Sequence, residues 1–336
     1  MKLNKIIIWG HKLHNHTHSY IHNAFYLAFK HLNFKTYWFD KEGNNNYPKK
    51  KYKKIDFNNA LYIVHGLESK NLPLNNTSFY ICHNVKWKKV DGFLIPIGHT
   101  MKNLNKCIPS KNMLILKCLK IHSNDKLLPY KNTKYYFHTP DYKCIVMPWA
   151  TDLLPEEIDE NIKNLKNIKI KNRSNFIGMK IGHWDKYSKI CEKYNIKFKQ
   201  YGGTFDINSD KNKSVKYNIK LIQKSIIAPA LQSDWQIRNK YIPCRIFKNI
   251  SYGKMGMTNS RAVYHFFEKK ILYSKIIDKL VKKGLEFNKR NDKFDKIKEL
   301  MEYVKNNHTY INRINFILEI IKNHHNIIVV PKKSKH

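Results

Sequence analysis

The first apolar run, KIIIWG (5–10), is short and bounded by charged or polar residues. After a polar loop, Ile21, Ala24, Phe25, Ala28, Phe29 and Leu32 recur at helical spacing, which predicts an amphipathic helix. KTYWFD (35–40) reads as a second strand. Strand, helix and strand in such close succession form a βαβ unit, so the pattern predicts a parallel α/β sheet. ALYIVHG (60–66), SFYICHN (78–84) and GFLIPIG (92–98) predict further buried strands, each running into His, Asn or Gly. Open α/β sheets bind ligands beyond the carboxyl ends of their strands, so these polar ends mark the expected cleft. YKCIVMPWATDLLPEEI (142–158) closes this half with a strand and a proline-punctuated turn.

The polar stretch 43–54 reads as a surface loop, and the lysine- and asparagine-rich stretch 161–172 as a linker. The pattern then restarts. SNFIGMKIG (174–182), IKFKQYGG (196–203) and KSIIAPALQ (224–232) read as strands, with a helix over 185–194. PCRIFKNISYG (243–253) is a short helix entered through proline and left at glycine. MGMTNS (255–260) is strand and loop, RAVYHFFE (261–268) opens another helix, and the chain is helical from 292 to about 323. The expected organisation is two α/β halves, 1–165 and 166–305, then a helix over 306–325 returning toward the first half and a basic tail over 326–336.

Composition narrows the class. The 336 residues are 42% hydrophobic and 13% aromatic, a globular balance. No apolar run approaches the ~18 residues of a membrane span, and the N-terminal run reads as a strand rather than a signal peptide. The six cysteines are scattered with no CxxC pair, which favours a reducing, cytoplasmic setting over a disulfide or zinc-ribbon framework. Net charge is +38, yet all but six of the 63 basic residues are lysine. Together with abundant asparagine and isoleucine this reads mainly as compositional drift over a solvated surface. It leaves room for weak association with anionic membrane or polyanions, and no specific nucleic acid is expected. Arginine retained in so lysine-biased a chain marks places where a bidentate fork matters, and five of the six lie in 238–313.

Two stretches carry candidate chemistry. WGHKLHNHTHSYIHNAF (9–25) holds His11, His14, His16, His18 and His22 where the first strand meets the first helix. Three uses stay open: a metal site on the i, i+4 pair His18–His22 with His14 or His16, a cleft lining, or a solvated coat. A cleft role is favoured. An unperturbed imidazole titrates near 6.5 and suits a proton acceptor, with His18 first and His11 second. His22, His65, Glu68 and His83 are further acceptor-side candidates. In the second half, Arg245 stands in the first turn of the helix after Pro243, and Thr258-Asn259-Ser260 open the next helix. Helix N-termini suit phosphate, although a surface cap at Arg245 and an N-cap at Asn259 or Ser260 would produce the same spacing.

The Pro-Arg-Phe helix, its glycine turn and Thr-Asn, followed by NNHTYINRINFILEII (306–321), resemble the C-terminal half of GT-B glycosyltransferases, nearest the CgeB-like branch. Arg245 and Phe247 match that branch's R-x-F-E helix; His308, Thr309, Tyr310, Arg313 and Leu318 match its terminal H-T-Y-x-x-R helix. MPWATDLLPEEI (147–158) is similar to the interdomain stretch of such enzymes, and NFIGMKIG (175–182) to the opening of their donor domain. The resemblance covers 142–321 well and the first half only in pattern. It implies two Rossmann-like domains with a cleft between them, a nucleotide-sugar donor and a glycan or other hydroxyl acceptor. It implies hexosyl transfer without metal or cofactor. The leaving pyrophosphate would be met by Arg245, Lys180, Gly178, Lys248 and the helix start at Thr258, Asn259 and Ser260. FDINSD (205–210) comes nearest to a metal-binding carboxylate pair but lacks supporting context. One departure is Lys248, where the family carries an acidic residue after Phe. It keeps open an inactive nucleotide- or sugar-binding relative; the other alternative is a basic nucleic-acid-binding protein.

Overall fold

The structure is a computed structural model that describes residues 1–14, 16–47, 55–67, 69, 71–90, 93–97, 99–118, 126–131, 133–179, 183–202 and 214–332. The chain separates into two units. The first runs to Met147 and takes in the chain again from Tyr310; the second is Pro148–Thr309. The boundary therefore lies ahead of the lysine–asparagine stretch read as a linker. Leu153, Ile158 and Leu165 explain why: all three are buried in the core of the second unit, so this stretch is tied to that core.

The first unit is built on a sheet with nine strands among the described residues. Its centre is parallel, in the order Cys144–Val146, Met113–Lys117, Phe79–His83, Ala60–His65, Lys5–Gly10 and Thr36–Asp40. Strands buried on both faces need no polar alternation, and Lys5–Gly10, Ala60–His65 and Phe79–His83 are buried along their whole length. Short antiparallel strands finish both edges: Asn45–Tyr47 on one, Phe137–His138 and Leu128–Pro129 on the other. The run read as a strand over 92–98 does not join this sheet. Phe93–Ile97 pairs antiparallel with Lys86–Val90, and Pro96, which has no N–H to donate, fits such an edge pairing better than a central position.

Helix Thr17–His31 buries Ile21, Ala24, Phe25, Ala28 and Phe29, the stripe visible in the sequence. Helix Tyr310–His325 belongs to the same unit and packs against it, with the Phe25 and Tyr310 rings edge-on and their centroids 4.7 Å apart. Ile314, Ile317, Ile320 and Ile321 are fully buried, each contributing on the order of 1.5–3 kcal/mol gross. Arg313 is buried beside them, donating to the Tyr136 hydroxyl at 2.8 Å. The helical run from 292 is two helices, Lys293–Asn307 and Tyr310–His325. The break is at His308-Thr309, where Thr309 forms a β-bridge with Thr151 and His308 packs among Phe247, Phe266 and Tyr303. No helix among the described residues is long and apolar enough to cross a membrane.

In the second unit Arg173–Ile177 pairs in parallel with Lys197–Tyr201, and Met257–Thr258 with Leu272–Tyr273. The run 224–232 lies between these pairs but is not a regular strand. Pro229 cannot donate to a ladder, and isolated contacts form instead, among them Ile226 N–H to the Arg173 carbonyl and Ala230 N–H to the Met257 carbonyl, both 2.8 Å.

Lys254 is a buried cation in this unit, its Nζ donating to the Ser225 carbonyl at 2.5 Å. Burial pushes the amine down to about 7. From there up to its ordinary value of 10.5 the unfolded chain holds a proton that the folded chain lacks, so stability rises with pH across that window. Lys254→Met should flatten this rise. Urea denaturation at several pH values between about 6 and 10 checks it; equal slopes in both proteins would refute it.

Candidate functional site

Parallel register brings the opening histidines to the sheet. Trp9 pairs with Val64 and His65 with His83, so three adjacent strands end at one level, at Gly10, His65 and His83. His11 leaves the first of these strands, and the next helix brings His18 and His22 back over the same edge. His11, His22, His65 and His83 are buried and His16 is half-buried. His11 stacks on His16 with centroids 4.0 Å apart and stands edge-on to His65 at 4.6 Å. His18 lies 5.0 Å from His65 and 5.6 Å from His83. The structure thus gathers five of the six acceptor-side and catalytic candidates; Glu68 lies outside the described residues.

The hydrogen bonds assign the protons. His22 Nδ1 accepts the His11 N–H at 3.3 Å, so a neutral His22 carries its proton on Nε2. That proton is donated to His83 Nε2 at 2.8 Å, which leaves the His83 proton on Nδ1. Burial, reinforced by the neighbouring imidazoles, holds His22, His65 and His83 well below the ordinary histidine range. Burial and then His16 and His11 push His18 down to about 3. The expectation of an imidazole titrating near neutrality at His18 is therefore not met: its ring is packed among other imidazoles. His16 caps the helix, its Nδ1 accepting the His18 N–H at 3.2 Å. Ser19 accepts from the His14 N–H at 3.1 Å.

The donor-side candidates lie in the second unit. Strand Arg173–Ile177 runs into Gly178, whose φ of +132° favours glycine. A Cβ there would stand 2.8 Å from an Arg245 guanidinium nitrogen. Arg245 projects from helix Cys244–Ser251 across this strand end. Its Nε and Nη1 donate to the Ile177 and Leu231 carbonyls, each at 3.3 Å, and its guanidinium lies 3.8 Å over the Phe176 ring. Burial lowers it to about 10, so it stays a cation at neutral pH. Among the described residues no carboxylate pairs with it. Lys248, on the same helix, differs. Its Nζ meets Asp152 Oδ2 at 2.8 Å, and the Tyr252 hydroxyl donates to Asp152 Oδ1 at 2.6 Å. Lys248 was read as a donor contact, yet its charge is answered within the protein.

Asn259 is also committed internally, its Oδ1 accepting from the Gln232 N–H at 2.9 Å and its Nδ2 donating to the Gln232 carbonyl at 3.0 Å. Thr258 Oγ1 accepts the Ser260 N–H at 3.1 Å. Ser260 Oγ and Gln232 Oε1 are buried without a hydrogen-bond partner among the described residues. Lys180 and the FDINSD stretch lie outside the described residues. Phe176, Gln232 and Asp152 were missed in the sequence. Only Phe176 carried a local signal, as the aromatic that ends the strand before Gly178.

Overlaid on solved proteins, both units find counterparts. A structure of alpha-glucosyltransferase in complex with UDP-glucose and DNA containing an abasic site is similar over 94% of this chain and 100% of that one, with a TM-score of 0.53 and 8% identity. A second, of alpha-glucosyltransferase in complex with UDP and a 13-mer DNA containing a HMU base, is similar over 95% and 99%, with a TM-score of 0.50 and 7% identity. The chain has the GT-B fold. No protein-family model and no curated protein matches the sequence. At such identity the likeness is one of fold. Within this GT-B chain the residues themselves must carry any argument about chemistry.

Gly10 is the tightest constraint on the histidine cluster, because a Cβ there would collide with the His22 ring. Gly10→Ala should therefore expel His22 from His83, at a cost of about 1–3 kcal/mol for overpacking. Imidazole nitrogen NMR of the two rings, with a denaturation curve, checks this. Unchanged tautomers and unchanged stability would contradict the assignment.

Proposed function

We propose that this protein is a glycosyltransferase moving a hexose from a nucleoside-diphosphate sugar to an acceptor hydroxyl. The observation that carries the reading is Arg245, a part-buried arginine facing carbonyls and a ring at a strand end, with no carboxylate to balance it among the described residues. A desolvated cation in that position is completed by an anion. Gly178, without a Cβ, leaves room for the guanidinium at this strand end. As the bond from the sugar to the diphosphate breaks, negative charge grows on the leaving oxygen. A fixed guanidinium and the start of helix Cys244–Ser251 stabilise that charge without reorganising. Ser260 Oγ is a further group with an unused hydrogen bond for the donor. In this reading Arg245, Gly178 and Ser260 serve the donor directly, while Asn259, Thr258 and the Lys248–Asp152 pair position the elements that carry them. The imidazoles of His11 and His18 bind acceptor hydroxyls, with His22, His65 and His83 holding them in place. Arg245-Phe247 and the His308–Leu318 motif support a CgeB-like affiliation within the GT-B enzymes.

One further observation bears on the acceptor. The two solved structures described above hold DNA, and this chain carries a net charge of +38. That favours DNA as acceptor over the earlier expectation of no specific nucleic acid, since a polyanion gains affinity by counterion release.

Arg245→Ala should lower transfer by about ten- to a hundredfold, the equivalent of one charge-assisted hydrogen bond of roughly 1.5–3 kcal/mol. Arg245→Lys should recover only part, because a point charge does not reproduce the fork. Hydrolysis and transfer assays with UDP-, GDP-, CMP- and dTDP-hexoses read both effects. A folded Arg245→Ala enzyme with wild-type rates would overturn the assignment, and no turnover of any donor by the wild type would favour an inactive relative. Label transferred from UDP-glucose to a duplex containing hydroxymethylated bases, falling steeply with salt, would establish the DNA acceptor. Transfer to small glycans alone would exclude it.

A further inference from the structure

We propose that His11, His16 and His65 form a site for a divalent transition metal of the zinc type at the carboxyl edge of the first unit's sheet. One ring nitrogen from each lies within 4.8 Å of the other two. Three imidazole nitrogens at zinc bonding distance stand roughly 3.4 Å apart, so the widest pair has to close by no more than about 1.4 Å. Side-chain rotation alone covers that distance.

His65 supplies the independent observation. It is buried, and its Nδ1 has no hydrogen-bond partner among the described residues. Its other nitrogen, Nε2, lies 2.8 Å from Asn84 Nδ2, which donates to it, so the ring proton stands on Nδ1 without an acceptor. Amide oxygen and nitrogen are nearly isosteric, and turning the Asn84 carboxamide over moves the proton to Nε2 and frees the Nδ1 lone pair for a metal. Metal-ligating histidines are held this way, with the second N–H donated to a protein oxygen. Nδ1 is thus the nitrogen His65 has left to give, in a place where water does not reach it.

The ligand set defines the metal. Neutral imidazoles suit zinc, cobalt, nickel or copper and are poor ligands for magnesium or calcium. His16, the half-buried member, now spends its Nδ1 on the helix cap. A neutral ring has a single lone-pair nitrogen, so metal binding exchanges that cap bond for a metal bond. His18 Nδ1 stands 3.2 Å from His16 Nδ1, close to the edge length of a tetrahedral shell, and is positioned for the fourth place. Where His18 stays out, that place holds a water or a substrate hydroxyl.

The full-length protein, stripped with a chelator, is titrated with Co2+ and then with Zn2+. One equivalent of cobalt should give the visible bands of a tetrahedral site, and zinc should displace it one for one. His11→Gln, His16→Gln and His65→Gln should each weaken zinc binding about tenfold or more, while His265→Gln, at an exposed position, should not. Circular dichroism reports folding. If the change at buried His65 unfolds the chain, the half-buried His16→Gln decides. No stoichiometric binding by the folded wild type, or an affinity that survives all three substitutions, overturns the proposal. The readout is independent of glycosyl transfer, so either reading can fail without the other.

Discussion

The level at which Lys5–Gly10, Ala60–His65 and Phe79–His83 stop is the constraint from which the first unit's chemistry follows. Parallel ladders leave no freedom in this: once Ile7 faces Tyr62 and Tyr62 faces Tyr80, the last residues of the three strands share one edge. The edge is crowded because Gly10 lacks a side chain and the His22 ring occupies the vacancy. Polar rings from a strand, a loop and a helix are thereby pressed together and dried. Their loss of basicity is a consequence of packing rather than of any single neighbour.

The second unit solves a different problem with similar means. There too a glycine at a strand end makes room, but the group that uses the room is a cation. Helix Cys244–Ser251 carries two basic side chains whose fates diverge. Lys248 reaches an internal carboxylate and is neutralised; Arg245 lies flat on Phe176 and keeps its charge facing neutral acceptors. The difference between a neutralised and an unbalanced cation is therefore one of partners, and composition gives no hint of it.

That contrast shows how far the sequence could be read. Helix Thr17–His31 and the first parallel strands were legible because buried strands and amphipathic stripes leave periodic marks, and the polar endings of those strands already pointed to the edge where the imidazoles meet. Pro96 and Pro229 were the available warnings that two apolar runs would not become interior strands. What stayed hidden depends on contacts distant in sequence. Asp152 meets Lys248 across 96 residues and His22 meets His83 across 61. The capping role of His16 was hidden for a different reason: imidazole does a task usually given to a hydroxyl or carboxamide. The basicity of His18 could not be judged before its burial was known.

The path of the chain has its own consequence. The first unit is closed by segments far apart in sequence: Lys2-Leu3 pairs with Ile328-Val329, and helix Thr17–His31 packs against helix Tyr310–His325. Pro148–Thr309 is inserted between them. During translation the apolar face of Thr17–His31 therefore stays without this partner until the residues of the inserted unit have emerged, a long exposure of the kind that invites misassembly.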